Sequence, residues 1–280
     1  MRILIPVSDA AVSRRAVSFV AGRARLHPGR NTFEVFNVQQ SVPVSFYSAT
    51  ALETMDRHYE EEAERVFESV RAPLEAAACH AGMVFAKARQ AAPAIASEAE
   101  KFGADLIVMG KHGLHDAPQR PEGDRVAAEV IQKAQCPVLV LRRDALPEAD
   151  GLRVGIAVDG SRFDYSSVSF VTRHLPLFGE GARFTLIHAV PEGLPEEEAA
   201  RVRAEVCEPV APLFERVGVP FETALPAGEP AQAVAAAVET LELDMLVLGA
   251  HGYGSIDDKA LGTTAAKVAA LTDLPLLVIR

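Results

Sequence analysis

The chain has 280 residues, 49% of them hydrophobic and 24% charged, an ordinary globular composition with material for one large core or two standard ones. Its formal charge of −10 would repel a phosphate backbone, and no Lys/Arg-rich run forms a basic stripe, which argues against nucleic acid as a partner. No apolar run approaches the roughly 18–20 residues that span a bilayer, and Met1 leads at once into Ile3-Leu4-Ile5-Pro6-Val7 without a signal-peptide profile, so no membrane partner and a cytoplasmic location are expected.

From the N-terminus, short runs rich in Val, Ile and Leu alternate with longer helical patterns. Ile3 to Val7 and Val35 to Val38 read as strands, and Gln39 to Thr50, with Pro43 and three serines, reads as a surface loop. Leu52, Met55, Tyr59, Ala63, Val66, Phe67 and Val70 follow the helical period, which Pro73 should kink or end, as Pro212 should in the second half. Leu106 to Met109 and Leu246 to Leu248 are continuously apolar, as suits central strands covered on both faces. Pro137 to Arg142 and Pro275 to Arg280 are a matching pair of last strands.

The chain is written twice. Met109-Gly110-Lys111-His112-Gly113 matches Leu248-Gly249-Ala250-His251-Gly252 at an offset of 139, and Arg2 to Val7 matches Arg153 to Val158 at an offset of 151. Each half then reads as strand and helix in strict alternation, which predicts an α/β fold of two tandem doubly wound, Rossmann-like domains, each a five-stranded parallel-type sheet flanked by helices. The expected boundaries are residues 1–142, a linker at 143–151 and residues 152–280. Cys79, Cys136 and Cys207 are odd in number and widely spaced, so buried free thiols are expected rather than disulfides or a zinc site.

Candidate chemistry lies in the second half. Gly249, Gly252 and Gly262 can take positive φ or let a ligand approach the backbone, and the helix after Thr263 offers unpaired N–H groups to an anion. Thr263 and Thr264 suit either an N-cap or a phosphate contact. Asp159, beyond the end of the first strand of this half, is placed where open parallel sheets bind ligands; alternatively it is a turn or N-cap residue. His188 and His251 have no partner at metal-ligand spacing and read as packing residues.

These residues resemble the universal stress protein family, whose nucleotide-binding members carry Gly, two residues, Gly, nine residues, Gly and Ser/Thr after the fourth strand. Here the pattern is complete as Gly249, Gly252, Gly262 and Thr263, and the likeness extends to His188-Ala189 and to Gly228-Glu229-Pro230. The resemblance implies that Asp159 contacts ribose or adenine, that Ala189 contacts adenine through its backbone, and that Gly249, Gly252, Gly262, Thr263 and Thr264 hold ribose and phosphates. It implies ATP, ADP or AMP as ligand, with Mg²⁺ alongside. Asp257 and Asp258 in the intervening loop would repel a triphosphate and Lys259 only partly offsets them; one of the two aspartates is an alternative Mg²⁺ contact.

The first half lacks this site. Ser8 stands for Asp159 unless Asp9 substitutes, Arg89 stands for Gly228, and Asp124 follows Gly123 where Ser or Thr is needed or, counted back from Pro137, takes the glycine position itself; under either alignment Asp124 reads as an N-cap hostile to phosphate. Lys111, His112 and His115 are the notable loop cations or near-cations there. No P-loop or nucleophile elbow is present, so weak ATPase activity at most is expected. The function expected is nucleotide binding in stress response or regulation, with an unidentified protein partner. The alternatives are a slow Mg²⁺-dependent hydrolase or phosphotransferase using Asp159, and a nucleotide-free scaffold. The last strands of the two halves invite an intramolecular pseudo-dimer, with a homodimer as a further possibility.

Overall fold

The computed structural model describes residues 1–9, 11–24, 31–41, 49–110, 121–141, 151–251 and 261–280. Its contacts divide the chain into two compact units, with described residues 1–141 in the first and 151–280 in the second. No helix among the described residues is long and apolar enough to cross a membrane.

In the first unit, β1 (Arg2–Val7), α1 (Ala11–Ala24), β2 (Thr32–Gln40), α2 (Ala49–Ala76), β3 (Ala81–Ala88), α3 (Ala91–Phe102), β4 (Leu106–Gly110), α4 (Pro121–Lys133) and β5 (Val138–Leu141) follow in order. All recorded pairings are parallel and the strand order is β3-β2-β1-β4-β5. The second unit repeats it with β6 (Arg153–Ala157), α5 (Arg162–Arg173), β7 (Arg183–Ile187), α6 (Glu196–Val202), α7 (Ala211–Glu215), β8 (Phe221–Ala224), α8 (Pro230–Thr240), β9 (Met245–Gly249), α9 (Thr263–Leu271) and β10 (Leu276–Ile279). Its order is β8-β7-β6-β9-β10, again parallel. The fold is therefore α/β and doubly wound in both halves, with chain direction across the sheet reversing between β1 and β4, and between β6 and β9.

The continuous apolar runs are buried as expected of strands covered on both faces: Leu4, Ile5, Leu106, Ile107, Ile156 and Leu246 are fully buried. In the second unit α8 and α9 cover one face through Ala231, Val234, Ala237, Ala265 and Val268, packed on Ile187, Leu246 and Leu248. Phe184 lies 5.6 Å from both Phe178 and Phe214, and Phe214 stacks on Phe221 at 4.9 Å. Burying each such ring contributes about 1.5–3 kcal/mol. The same clamp closes the start of both central strand pairs. Arg2 donates its amide to Asp105 Oδ2 at 2.7 Å, and Arg153 donates to Asp244 Oδ2 at 2.8 Å.

Several expectations are corrected. Gln39 and Gln40 belong to β2 and Ala49-Thr50 to α2, because the strand pairs with β3 as far as Gln40. The helix α2 passes through Pro73 and stops a turn later at Ala76. In the second unit the corresponding helix is broken: α6 gives way to a π turn at Arg203–Cys207, a 3₁₀ turn at Glu208–Val210, then α7. Pro209 and Pro212 each lack an N–H and would clash with the carbonyl four residues back, so the regular ladder cannot pass. Asp124 is not an N-cap, because α4 already begins at Pro121, a residue favoured in the first helical turn. Of the thiols, all free, only Cys207 is buried; Cys79 and Cys136 are half-buried.

Candidate functional site

The strand β6 has β7 on one side and β9 on the other, so the carboxyl ends of these three strands meet at the reversal point of the second sheet. Asp159 follows β6 and is exposed, Ala189 follows β7 and is half-buried, and Gly249 ends β9. Beyond them Gly262 donates its amide to the carbonyl of Ala250 at 2.7 Å, which sets the first turn of α9 beside the end of β9. Of the seven candidate residues, Asp159, Ala189 and Gly249 thus reach this crest at the ends of adjacent strands, and Gly262, Thr263 and Thr264 join them at the start of α9. Gly252, with the loop containing Asp257, Asp258 and Lys259, lies outside the described residues, as do Lys111, His112, Gly113 and His115 of the first half.

The N-cap of α9 is Gly262, at φ −55° and ψ 147°, and no side chain caps the helix. Thr263 and Thr264 are therefore its first two residues, both exposed, and not its cap. The first N–H groups of a nine-residue helix are left to solvent or to an anion. At Ala189 the flanking amides of His188 and Val190 donate to Ala224 and Pro226 of the β8 side, at 3.0 and 2.9 Å. Alternation along an extended chain turns the Ala189 amide the other way, toward β6.

Asp159 does make the turn that its sequence allows. Its Oδ1 accepts from the amide of Ser161 at 3.0 Å, while Ser161 is the N-cap of α5, its hydroxyl accepting from Phe163. Gly160, at φ 81°, supplies the left-handed step that lets the chain enter α5. By contrast Gly249 is not in the left-handed region, and its missing side chain serves the chain's own packing: a Cβ there would lie 2.9 Å from the His251 carbonyl oxygen and 3.4 Å from Phe163 Cβ. His251 is buried with its ring 5.5 Å from that of Phe163, consistent with a packing role. His188 also has a partner: its Nδ1 lies 2.8 Å from the carbonyl of Val158, and because a carbonyl only accepts, Nδ1 carries the proton.

Asp164, which sequence reasoning passed over, completes the crest. It is 6% exposed, in the first turn of α5, and its carboxylate accepts from the amides of Asp159 at 3.1 Å and Gly160 at 2.7 Å. Burial, reinforced by the Asp159 charge, pushes its carboxyl up to about 7 despite those amide bonds. At the offset of 151 Asp164 falls on Ser13, but none of residues 159–167 is identical to its counterpart in 8–16, so the repeat alone does not single it out.

Glu229 caps α8, accepting from the amides of Ala231 and Gln232 and pairing with Lys267 of α9 at 3.2 Å, and these contacts hold its carboxyl below the usual range. Among the described residues no group of three or more His, Cys, Asp or Glu side chains gathers as a metal site.

Comparison with known proteins agrees with this architecture. The family model described as Universal stress protein family matches residues 1–142 and again residues 153–280. A universal stress protein of Thermus aquaticus is 35% identical over 133 residues, covering 45% of this chain and 96% of that protein. One from Mycolicibacterium smegmatis is 26% identical over 297 residues, covering 99% of this chain and 96% of the relative. The crystal structure of a universal stress protein from Archaeoglobus fulgidus superposes with a TM-score of 0.73 at 20% identity, over 100% of this chain and 96% of that one. With the family pattern met once in each half and the doubly wound sheet in both, the chain belongs to the universal stress protein family as a tandem of two of its domains.

Proposed function

We propose that the second half binds an adenine nucleotide, ATP, ADP or AMP, at the reversal point between β6 and β9, and that the protein acts through this bound state in stress response or regulation, by way of a protein partner. The observation that carries the reading is the convergence there of a carboxylate, a backbone amide and an uncapped helix N-terminus, on three adjacent strand ends and α9. These are the complementary groups for a ribose hydroxyl, an adenine edge and a phosphate. Asp159 accepts from ribose or the adenine amine, Ala189 meets adenine through its backbone, and Gly249, Gly252, Gly262, Thr263 and Thr264 hold ribose and phosphates. Both oxygens of Asp164 are engaged by backbone amides, so no described residue is assigned to Mg²⁺ and no step is routed through it.

In the first half Ser8 replaces the carboxylate, and the nucleotide is assigned to the second half alone. The test is mass analysis of nucleotide released from the purified protein, then calorimetric titration with ATP, ADP and AMP against wild type and Gly262→Asp. Asp is a better N-cap than Gly, so the variant should fold at least as stably. It would set a carboxylate at the phosphate position, and an affinity loss of about tenfold or more is expected, equivalent to about 1.4 kcal/mol. One site per chain that is lost in the variant supports the reading; no binding by the wild type retires it.

A further inference from the structure

We infer that Asp164 is a positioning residue for this site, fixing the Asp159–Gly160 turn through its amides, and that the first half keeps the same wiring in a form that carries no charge. The inference deepens the reading of the second half as a nucleotide site and rests on it for its functional consequence.

The chain supplies its own control. At the offset of 151, Val7, Ser8, Ser13 and Asn37 correspond to Val158, Asp159, Asp164 and His188. In the first half the Ser8 amide donates to Ser13 Oγ at 2.8 Å, and Asn37 Nδ2 donates to the Val7 carbonyl at 2.9 Å. In the second half the Asp159 amide donates to the Asp164 carboxylate at 3.1 Å, and His188 Nδ1 bonds the Val158 carbonyl at 2.8 Å. Two side-chain links, one from the first turn of the helix and one from the next strand, thus tie down the same turn in both halves. Only the second half builds them from ionisable groups, and only there does the residue whose amide is held, Asp159, itself carry a carboxylate; the first half has Ser8 there and its carboxylate one residue on, at Asp9.

The two differ in reach as well as charge. The Ser13 hydroxyl holds the Ser8 amide and also pairs with the Ser8 hydroxyl at 3.2 Å, so it occupies the very side chain that replaces Asp159. The Asp164 carboxylate instead takes two successive amides, those of Asp159 and Gly160, and repels the Asp159 carboxylate, which turns to the Ser161 amide. The groups facing Asp164 are Asp159 and, from the π turn, Cys207, whose thiol is flanked by Arg203 and Glu208. Burial among them raises the Asp164 carboxyl to about 7. Below that pH the proton sits on Oδ1, whose contact with the Asp159 amide is the longer one at 3.2 Å; the acid loosens that contact, keeps Oδ2 as acceptor and donates to the Asp159 carboxylate, drawing it off the ligand. Affinity should therefore rise as pH rises through neutrality.

The test uses the full chain and adenosine, which lacks the phosphate charge that both carboxylates would repel. In the ligand-free wild type, the backbone amide resonances of Asp159 and Gly160 should titrate with a midpoint near 7, and they should be flat in Asp164→Ser and Asp164→Asn. Ser13 does this work in the first half, which is reason to expect Asp164→Ser to fold; Asp164→Asn is the second variant should it not. Adenosine affinity should rise by about tenfold per pH unit at most below the midpoint, the limit for one linked proton, and be weaker and independent of pH in both variants. His188→Asn, which copies Asn37, should keep the pH dependence. A midpoint in the ordinary carboxylate range, or wild-type affinity and pH profile in Asp164→Ser, overturns the inference. If the wild type binds no adenosine at any pH, the nucleotide reading fails, while the amide titration still decides whether Asp164 holds the turn.

Discussion

Gly110 and Gly249 occupy matching places at the ends of β4 and β9, and the two can be told apart by adding one methyl group. In the first half a Cβ at Gly110 would lie 2.6 Å from both the carbonyl carbon and the Cβ of Val12, and closer still to the Val12 carbonyl oxygen. Two of these three atoms are backbone of α1, so no rotamer change relieves the contact and the first turn of the helix has to move. Overpacking costs about 1–3 kcal/mol, and a clash with fixed backbone belongs at the top of that range. At Gly249 the nearest atom is the His251 carbonyl oxygen at 2.9 Å, followed by Phe163 Cβ at an ordinary 3.4 Å, so a shift of a few tenths of an ångström suffices. We expect Gly110→Ala to destabilise its half by about 3 kcal/mol and Gly249→Ala by about 1 kcal/mol. Urea unfolding followed by far-ultraviolet circular dichroism checks this, since at about 2 kcal/mol per molar the larger loss moves the midpoint by about 1.5 M. Equal costs at the two sites, or a Gly110→Ala protein as stable as wild type, would refute the reasoning. The outcome bears on function, because a glycine required by the helix above it is explained by packing alone and is no mark of a ligand site.

Asp164 makes stability depend on pH in a defined direction. Its carboxyl is raised from 3.8 to about 7 on folding, so the folded state keeps a proton that the unfolded state has released; the contribution is full below about pH 4 and lost as pH rises through 7. The second-half unfolding midpoint should fall between about pH 5 and about pH 8, and Asp164→Asn should fall less; a wild-type midpoint that rises over this window contradicts the assignment. The thiols of Cys136 and Cys207 are each pushed up to about 11 by burial, so both should react slowly with a disulfide reagent at pH 8 in the native protein and freely in denaturant. Rapid native labelling of Cys207 would show that the π turn opens.

The sequence by itself determined the repeat, the fold class and the place of the candidate site. Continuous apolar runs separated by helical periods have few solutions other than a parallel sheet covered on both faces, and parallel sheets bind ligands where the chain direction reverses. Asp159 and Gly262 stood out as candidates because local chemistry, a turn and a helix start, marks them, whereas Ala189 came only from the family resemblance. What the sequence could not decide was which neighbour each group meets. Gly249 read as a close approach of ligand to backbone, and the space its missing side chain leaves is filled by Phe163 and the His251 carbonyl, so the contact proposed for it is through its backbone. Thr263 and Thr264 read as either caps or phosphate contacts, yet the cap is Gly262 and the helix begins at Thr263. The fate of Pro73 and Pro212 differed although their positions match, because one continuous helix absorbs a single proline whereas Pro209 and Pro212 together break the ladder. Asp164 was invisible as a lone acidic residue in a helix; only the close return of α5 over the end of β6 buries it against two amides and a second carboxylate. Spacing along the chain fixes which elements form, while burial and partner are set by contacts between residues distant in sequence, and those decide what a polar group can do.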